Sequence, residues 1–135
     1  MIQYVIRSIK SPRTGEVKYF PQIAPAPPVM RKELIEEIEQ KTTLTSTDVK
    51  ACLDALEHAI SNHLVQGQAV RLGDLGSFRP TLASKGAESA DKCDATLIKH
   101  VRCRFTMSAT MAMHLQTANV NFQPYRKPAV SGATE

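Results

Sequence analysis

Val70-Arg71-Leu72-Gly73-Asp74-Leu75-Gly76-Ser77-Phe78 is the stretch on which the fold turns. Ala69-Val70-Arg71-Leu72 reads as a short strand. Gly73-Asp74-Leu75-Gly76 interrupts it, and Ser77-Phe78-Arg79 resumes extended structure. Two glycines three apart predict a tight turn or bulge with positive φ, which residues carrying a Cβ adopt only at a cost. Both glycines therefore read as structural, and Phe78 reads as a core residue. Pro80 lacks a ladder donor, so the strand it enters must be an edge or a bulge there.

Downstream, residues 83–94 (ASKGAESADKCD) are small, polar and charged, the composition of a mobile loop tip. Residues 97–105 (LIKHVRCRF) return to a strand. Period-2 alternation places Leu97, Lys99, Val101, Cys103 and Phe105 on one side and Ile98, His100, Arg102 and Arg104 on the other. The second side is mostly basic and suits a phosphate backbone. Ser108 then caps a short helix from Ala109 to about Ala118. The remainder, 119–135, holds Pro124, Pro128 and Gly132 and reads as irregular.

Upstream, two helices are predicted. Residues 31–41 (RKELIEEIEQK) are good helix formers, with Leu34, Ile35 and Ile38 on one face. The second starts at an N-cap, Thr45, with Asp48 in the capping-box position and Leu44 and Val49 placed as a hydrophobic staple. Its apolar stripe runs through Cys52, Leu53, Leu56, Ile60 and Leu64, and Gly67 marks its end. His63 falls on that stripe and reads as a hydrogen-bonded core residue.

At the amino end, residues 2–9 (IQYVIRSI) and 17–20 (VKYF) flank the turn-forming Ser11-Pro12-Arg13-Thr14-Gly15-Glu16, which predicts a β-hairpin. Residues 21–28 hold four prolines and read as an extended linker. The predicted organisation is an N-terminal hairpin and linker over 1–30, a domain over 31–118 and a tail over 119–135.

The chain has 135 residues, 42% of them apolar, enough for one ordinary domain and too apolar for a disordered tail. Trp is absent and aromatics are 5%, which argues against a stacking platform for single strands. The net charge of +4 is unevenly spread. Residues 31–78 carry five basic and eight acidic side chains, whereas 79–105 carry six basic and three acidic. That asymmetry fits a localised surface for a polyanion, or simply an uneven solvated surface. Cys52, Cys93 and Cys103 are odd in number and widely spaced, so no disulfide framework is indicated and a reducing compartment is expected. No signal peptide and no membrane span is expected.

The order of helix, capped helix, short strand, Gly-Asp-Leu-Gly-Ser-Phe turn, basic β-arm and short helix resembles the HU/IHF family of bacterial histone-like DNA-binding proteins. Val70 to Phe78 stands where the family has a strand and a Gly-x-Gly-x-Phe-type turn, and Val101-Arg102-Cys103-Arg104-Phe105 resembles the return strand of its arm. The resemblance covers about residues 31–118. Pro12-Arg13-Thr14-Gly15-Glu16-Val17-Lys18-Tyr19 is similar to the N-terminal pattern of an HU-related, Bacteroides-type subfamily with an extension.

The resemblance implies an α+β, HU/IHF-like fold: a two-helix base, a β-sheet with an extended arm, a short C-terminal helix, and here an added N-terminal β-hairpin. It further implies a cytoplasmic, nucleoid-associated homodimer that binds double-stranded DNA without strong sequence preference. The arms would lie in the minor groove, with Arg79, Lys85, Lys92, Lys99, Arg102 and Arg104 as contacts. One departure stands out. The family places a proline wedge at the arm tip, whereas residues 83–94 hold no proline or aromatic and carry Glu88, Asp91 and Asp94. The wedge therefore has no candidate residue in this sequence.

No Cys-x-x-Cys pair, phosphate-cradling glycine loop or nucleophile with a visible base occurs, so no enzyme activity, metal, cofactor, small-molecule substrate or membrane partner is expected. The rival reading is an HU-fold protein-interaction or structural module that has lost DNA binding. The missing wedge, the acidic tip and the added hairpin motivate it.

Overall fold

The computed structural model describes residues 1–127. The chain divides into two compact units, Val29–Met113, and Met1–Pro28 together with the chain from His114 onward.

In the first unit, α1 (Arg31–Lys41) and α2 (Ser46–Val65) form a helical pair. Their ends follow the predicted chemistry. The Thr45 side chain accepts from the Asp48 backbone N–H at 3.2 Å, and the Asp48 carboxylate accepts from the Thr45 backbone N–H at 3.3 Å. Both partners of the capping box are present. At the other end, Gly67 takes a φ of +80°. The Gly67 and Gln68 N–H groups then bond the Leu64 and His63 carbonyls, each at 3.0 Å. Paired bonds of this kind satisfy carbonyls that the last turn would leave unpaired. Arg31 ties α1 to α2 by donating to Asp54 at 2.5 Å, with Glu57 at 3.8 Å. Val49 is buried, and Ile35, Ile38, Leu53, Ile60 and Leu64 are half-buried. His63 is exposed and bonds Gln68 through Nδ1 at 2.8 Å, so it is a polar cap-side residue and not the core residue its spacing implied.

The sheet of this unit has the order β3-β4-β5. β3 (Val70–Arg71) is short, while β4 (Gly76–Ser84) and β5 (Ile98–Met107) continue past it as a two-stranded arm. β3 pairs only with Ser77 and Phe78. Pro80 lies beyond the reach of β3, so no β3 ladder bond needs its missing N–H, which explains how a proline is tolerated in the middle strand. Phe78 is half-buried against Phe105, ring centroids 5.1 Å apart, and not enclosed in a core. The Ser108 side chain bonds the Asp74 carbonyl and accepts from the Met111 N–H at 3.0 Å, capping α3 (Ala109–His114). α3 ends earlier than expected, and a 3-10 turn follows at Thr117–Asn119.

In the second unit, β1 (Ile2–Lys10) and β2 (Val17–Ile23) form the N-terminal hairpin, and β6 (Phe122–Pro124) pairs parallel with β1. Two expectations are corrected. Pro21-Gln22-Ile23 belongs to β2 and not to the linker; β2 is an edge strand, where a missing N–H costs little. Residues 122–124 are a strand and not irregular, because β1 offers them a free edge from Ile2 to Tyr4. The remaining tail expectation, over 128–135, lies outside the described residues. No helix among the described residues is long and apolar enough to cross a membrane.

Candidate nucleic-acid interface

The arm has two chemically distinct faces. In the β4–β5 register, Arg79 stands opposite Arg104, Thr81 opposite Arg102, and Ala83 opposite His100. On the other side, Phe78 meets Phe105, Pro80 meets Cys103, and Leu82 meets Val101. Period-2 alternation thus sorts the arginines onto one face and the apolar pairs onto the other. Arg79, Arg102 and Arg104 are all exposed. None of them takes part in an ion pair among the described residues.

Like charges directly across a ladder are destabilising. Arg79 opposite Arg104, with Arg102 two positions along, is therefore an arrangement that an anion relieves. No Asp or Glu lies in either strand of the arm. Arginine also suits this role in presenting a planar, permanently charged fork to phosphate oxygens.

The other three predicted cations are placed differently. Lys99 is the extra residue of a register shift, since Ala83 pairs with His100 and Ser84 with Ile98. It is thus displaced from simple alternation. Lys85 closes the arm, donating its backbone N–H to the Leu97 carbonyl at 2.9 Å. Lys92 sits in a 3-10 turn over Ala90–Lys92, with its ammonium 3.7 Å from Glu88.

The tip acids are largely engaged within the tip. Glu88 holds Lys92. Asp94 caps the turn Ala95–Leu97, accepting from the Thr96 backbone N–H at 3.0 Å and from the Thr96 hydroxyl. Those bonds hold the Asp94 carboxyl below the usual carboxylate range, hydrogen bonding to the Thr96 side chain first and to its backbone second. The three arginines are brought together, and the lysines are spread from the bulge to the tip. His100 shares the arginine row, although it is absent from the expected contact set; alternation alone already placed it there.

Other candidate chemistry is thin. Among the described residues, no group of three or more His, Cys, Asp or Glu is placed to hold a metal ion. An open depression of about 610 Å³ on the N-terminal sheet is lined by Ile2, Tyr4, Ile6, Tyr19, Ile23 and Phe122, with Phe20, Pro21 and Gln22. Its lining offers no carboxylate, imidazole or thiol. Cys52, Cys93 and Cys103 are unbridged and exposed.

Comparison with known proteins agrees with this architecture. Residues 1–124 match the model of a family described as an HU domain fused to a winged helix-turn-helix, Ig or glycine-rich motif. The DNA-binding protein HU of Streptococcus mutans is 36% identical over 58 residues, 42% of this chain and 64% of that protein. The chain therefore spans a little under two-thirds of that curated relative. An HU variant from Thermotoga maritima superposes with a TM-score of 0.50 at 20% identity, over 65% of this chain and all of that one. A candidate DNA-binding protein from Bacteroides vulgatus superposes with a TM-score of 0.67 at 10% identity, over 94% of this chain and half of that one.

Proposed function

The chain belongs to the HU family, in its fused-domain branch, and from that premise we propose that it is a non-catalytic, sequence-tolerant binder of double-stranded DNA on the bacterial chromosome. Binding is assigned to residues 31–118 acting as a homodimer, with the arms along the minor groove. The observation that carries the reading is the row of Arg79, Arg102 and Arg104 on one arm face, in no ion pair among the described residues. Each phosphate these cations neutralise releases counterions, which supplies affinity without reading sequence.

The apolar balance supports a second copy. Only Ala24 and Val49 are buried hydrophobics among the described residues, while Leu34, Leu44, Leu56 and Leu75 are 39–45% exposed. Helices and turns that leave this much apolar surface uncovered gain from a two-fold partner. The tip has no apolar wedge, so the proposed mode is backbone grip with little kinking.

The test is fluorescence anisotropy of two unrelated duplexes with the protein, alongside sedimentation equilibrium. Comparable affinity for both duplexes and a two-chain mass support the reading. Absence of binding at low salt contradicts it. One observation favours the rival protein-interaction reading, namely the uncharged depression on the N-terminal sheet. A pull-down after nuclease treatment that recovers one stoichiometric protein partner from a chain inert toward DNA would establish it instead.

A further inference from the structure

His100 stands in the arginine row with no partner on its own strand pair. It lies opposite Ala83, whose methyl group neither donates nor accepts a hydrogen bond. Thr81, Arg102, Arg104 and Arg79 continue the face beyond it, Lys99 is in the adjacent bulge, and Lys85 follows the end of β4. No carboxylate lies anywhere in β4 or β5. His100 is exposed, so both solvent protons and a docked polyanion reach it.

We propose that His100 is a further DNA-contacting residue of the arm, a phosphate contact that is switched on by protonation. This rests on the DNA-binding reading given above. The geometry makes the row long enough. At about 3.3 Å per residue, His100 to Arg104 spans about 13 Å of strand. A duplex carries a charge about every 1.7 Å along its axis, so phosphates outnumber cations over that length. A neutral imidazole adds no charge to the row and releases no counterion. An imidazolium adds a cation with two N–H donors. Histidine is the side chain whose ordinary charge change falls between pH 5 and 8.

Linkage makes the effect reciprocal. If the protonated arm binds DNA more tightly, DNA binding draws a proton onto His100. Affinity therefore rises as pH falls, and the salt dependence steepens with it. One added phosphate contact changes the slope of log K against log salt by about 0.9, and two arms of a dimer change it by about twice that.

The experiment titrates a labelled duplex with the full chain at pH 5.5 and pH 8.0 at several fixed salt concentrations. It compares the natural protein with His100→Gln, His100→Lys and the pair Arg102→Ala, Arg104→Ala. The natural protein is expected to bind about tenfold more tightly at pH 5.5 at low salt, with the steeper slope. His100→Gln is expected to lose the pH dependence and match the natural protein at pH 8.0. His100→Lys should bind at pH 8.0 as the natural protein does at pH 5.5. Equal pH dependence in His100→Gln would overturn the proposal and point to His58, His63 or His114. Binding that depends on Arg102 and Arg104 but not on pH overturns the role of His100 while leaving the DNA reading intact. No binding at either pH overturns both.

Discussion

The sheet β2-β1-β6 and the arm β4–β5 are both antiparallel hairpins with a short third strand beside them, yet their faces differ in kind. From Ile2 to Ser8, one face of the N-terminal sheet carries Ile2, Tyr4, Ile6, Tyr19, Pro21, Ile23 and Phe122, and no charge. Ile6, Tyr19 and Ile23 are 68–71% exposed there. The corresponding length of the arm carries Arg79, Arg102, Arg104 and His100 on one face. The same backbone pattern therefore yields one surface suited to apolar contact and one suited to a polyanion. What distinguishes them is which residue types fall on alternate positions, and not the topology.

The largest expected effect separates the two surfaces directly. Arg102→Ala with Arg104→Ala should weaken duplex binding by about a hundredfold at low salt, equally for unrelated sequences. Ile6→Glu, on the uncharged face, should change the same affinity by less than about twofold. Anisotropy titrations of both variants check this. A comparable loss from Ile6→Glu would break the distinction.

The turn glycines sharpen it in stability. Gly76 opens the arm at a φ of +148°, and an added Cβ would collide with the Thr106 carbonyl oxygen and lie 2.8 Å from the Phe105 ring. Gly15 turns the N-terminal hairpin at +72°, with nothing within 4 Å of an added Cβ. Gly76→Ala combines backbone strain with a clash against main chain, and should cost about 3 kcal/mol or more. Gly15→Ala meets only the strain, about 1 kcal/mol. Urea unfolding of the two variants measures the gap; equal losses would remove the arm's entry from the tightly packed part of the fold.

The smallest effect concerns pH. Arg31 beside Asp54 holds the Asp54 carboxyl below its ordinary value, chiefly through their hydrogen bond, with coulombic attraction adding to it. A carboxyl depressed on folding contributes stability above its unfolded pKa and loses it as pH falls through the folded one. Urea midpoints should therefore fall between pH 5 and pH 2.5 slightly more steeply in the natural protein than in Asp54→Asn. The pair is exposed, which keeps the difference small. An equal fall in both would show that the pair adds nothing.

Much of this was legible in local chemistry. Thr45 with Asp48, Gly67, and the Gly73–Gly76 turn each impose a backbone state within a few residues, and the structure realises each of them. Nonlocal or marginal features were not. The pairing of Phe122–Pro124 with β1 spans nearly the whole chain and involves only three residues, one of them proline. The bulge at Lys99 was invisible because counting alternate positions assumes a regular strand. His63 departs from the core position expected of it because helical spacing assigns a face without showing whether anything covers it. For the candidate interface, alternation separated Arg102 and Arg104 from the apolar side correctly. It could not show that Arg79 faces Arg104, which depends on the register between strands.

The arginine face as a phosphate-binding surface is tested most directly by the salt dependence of duplex binding. Three arginines on each of two arms predict a slope of log K against log salt of about −5, falling in magnitude to about −2 when Arg102 and Arg104 are both alanine. A slope near zero, or one unchanged by removing the two arginines, would contradict it.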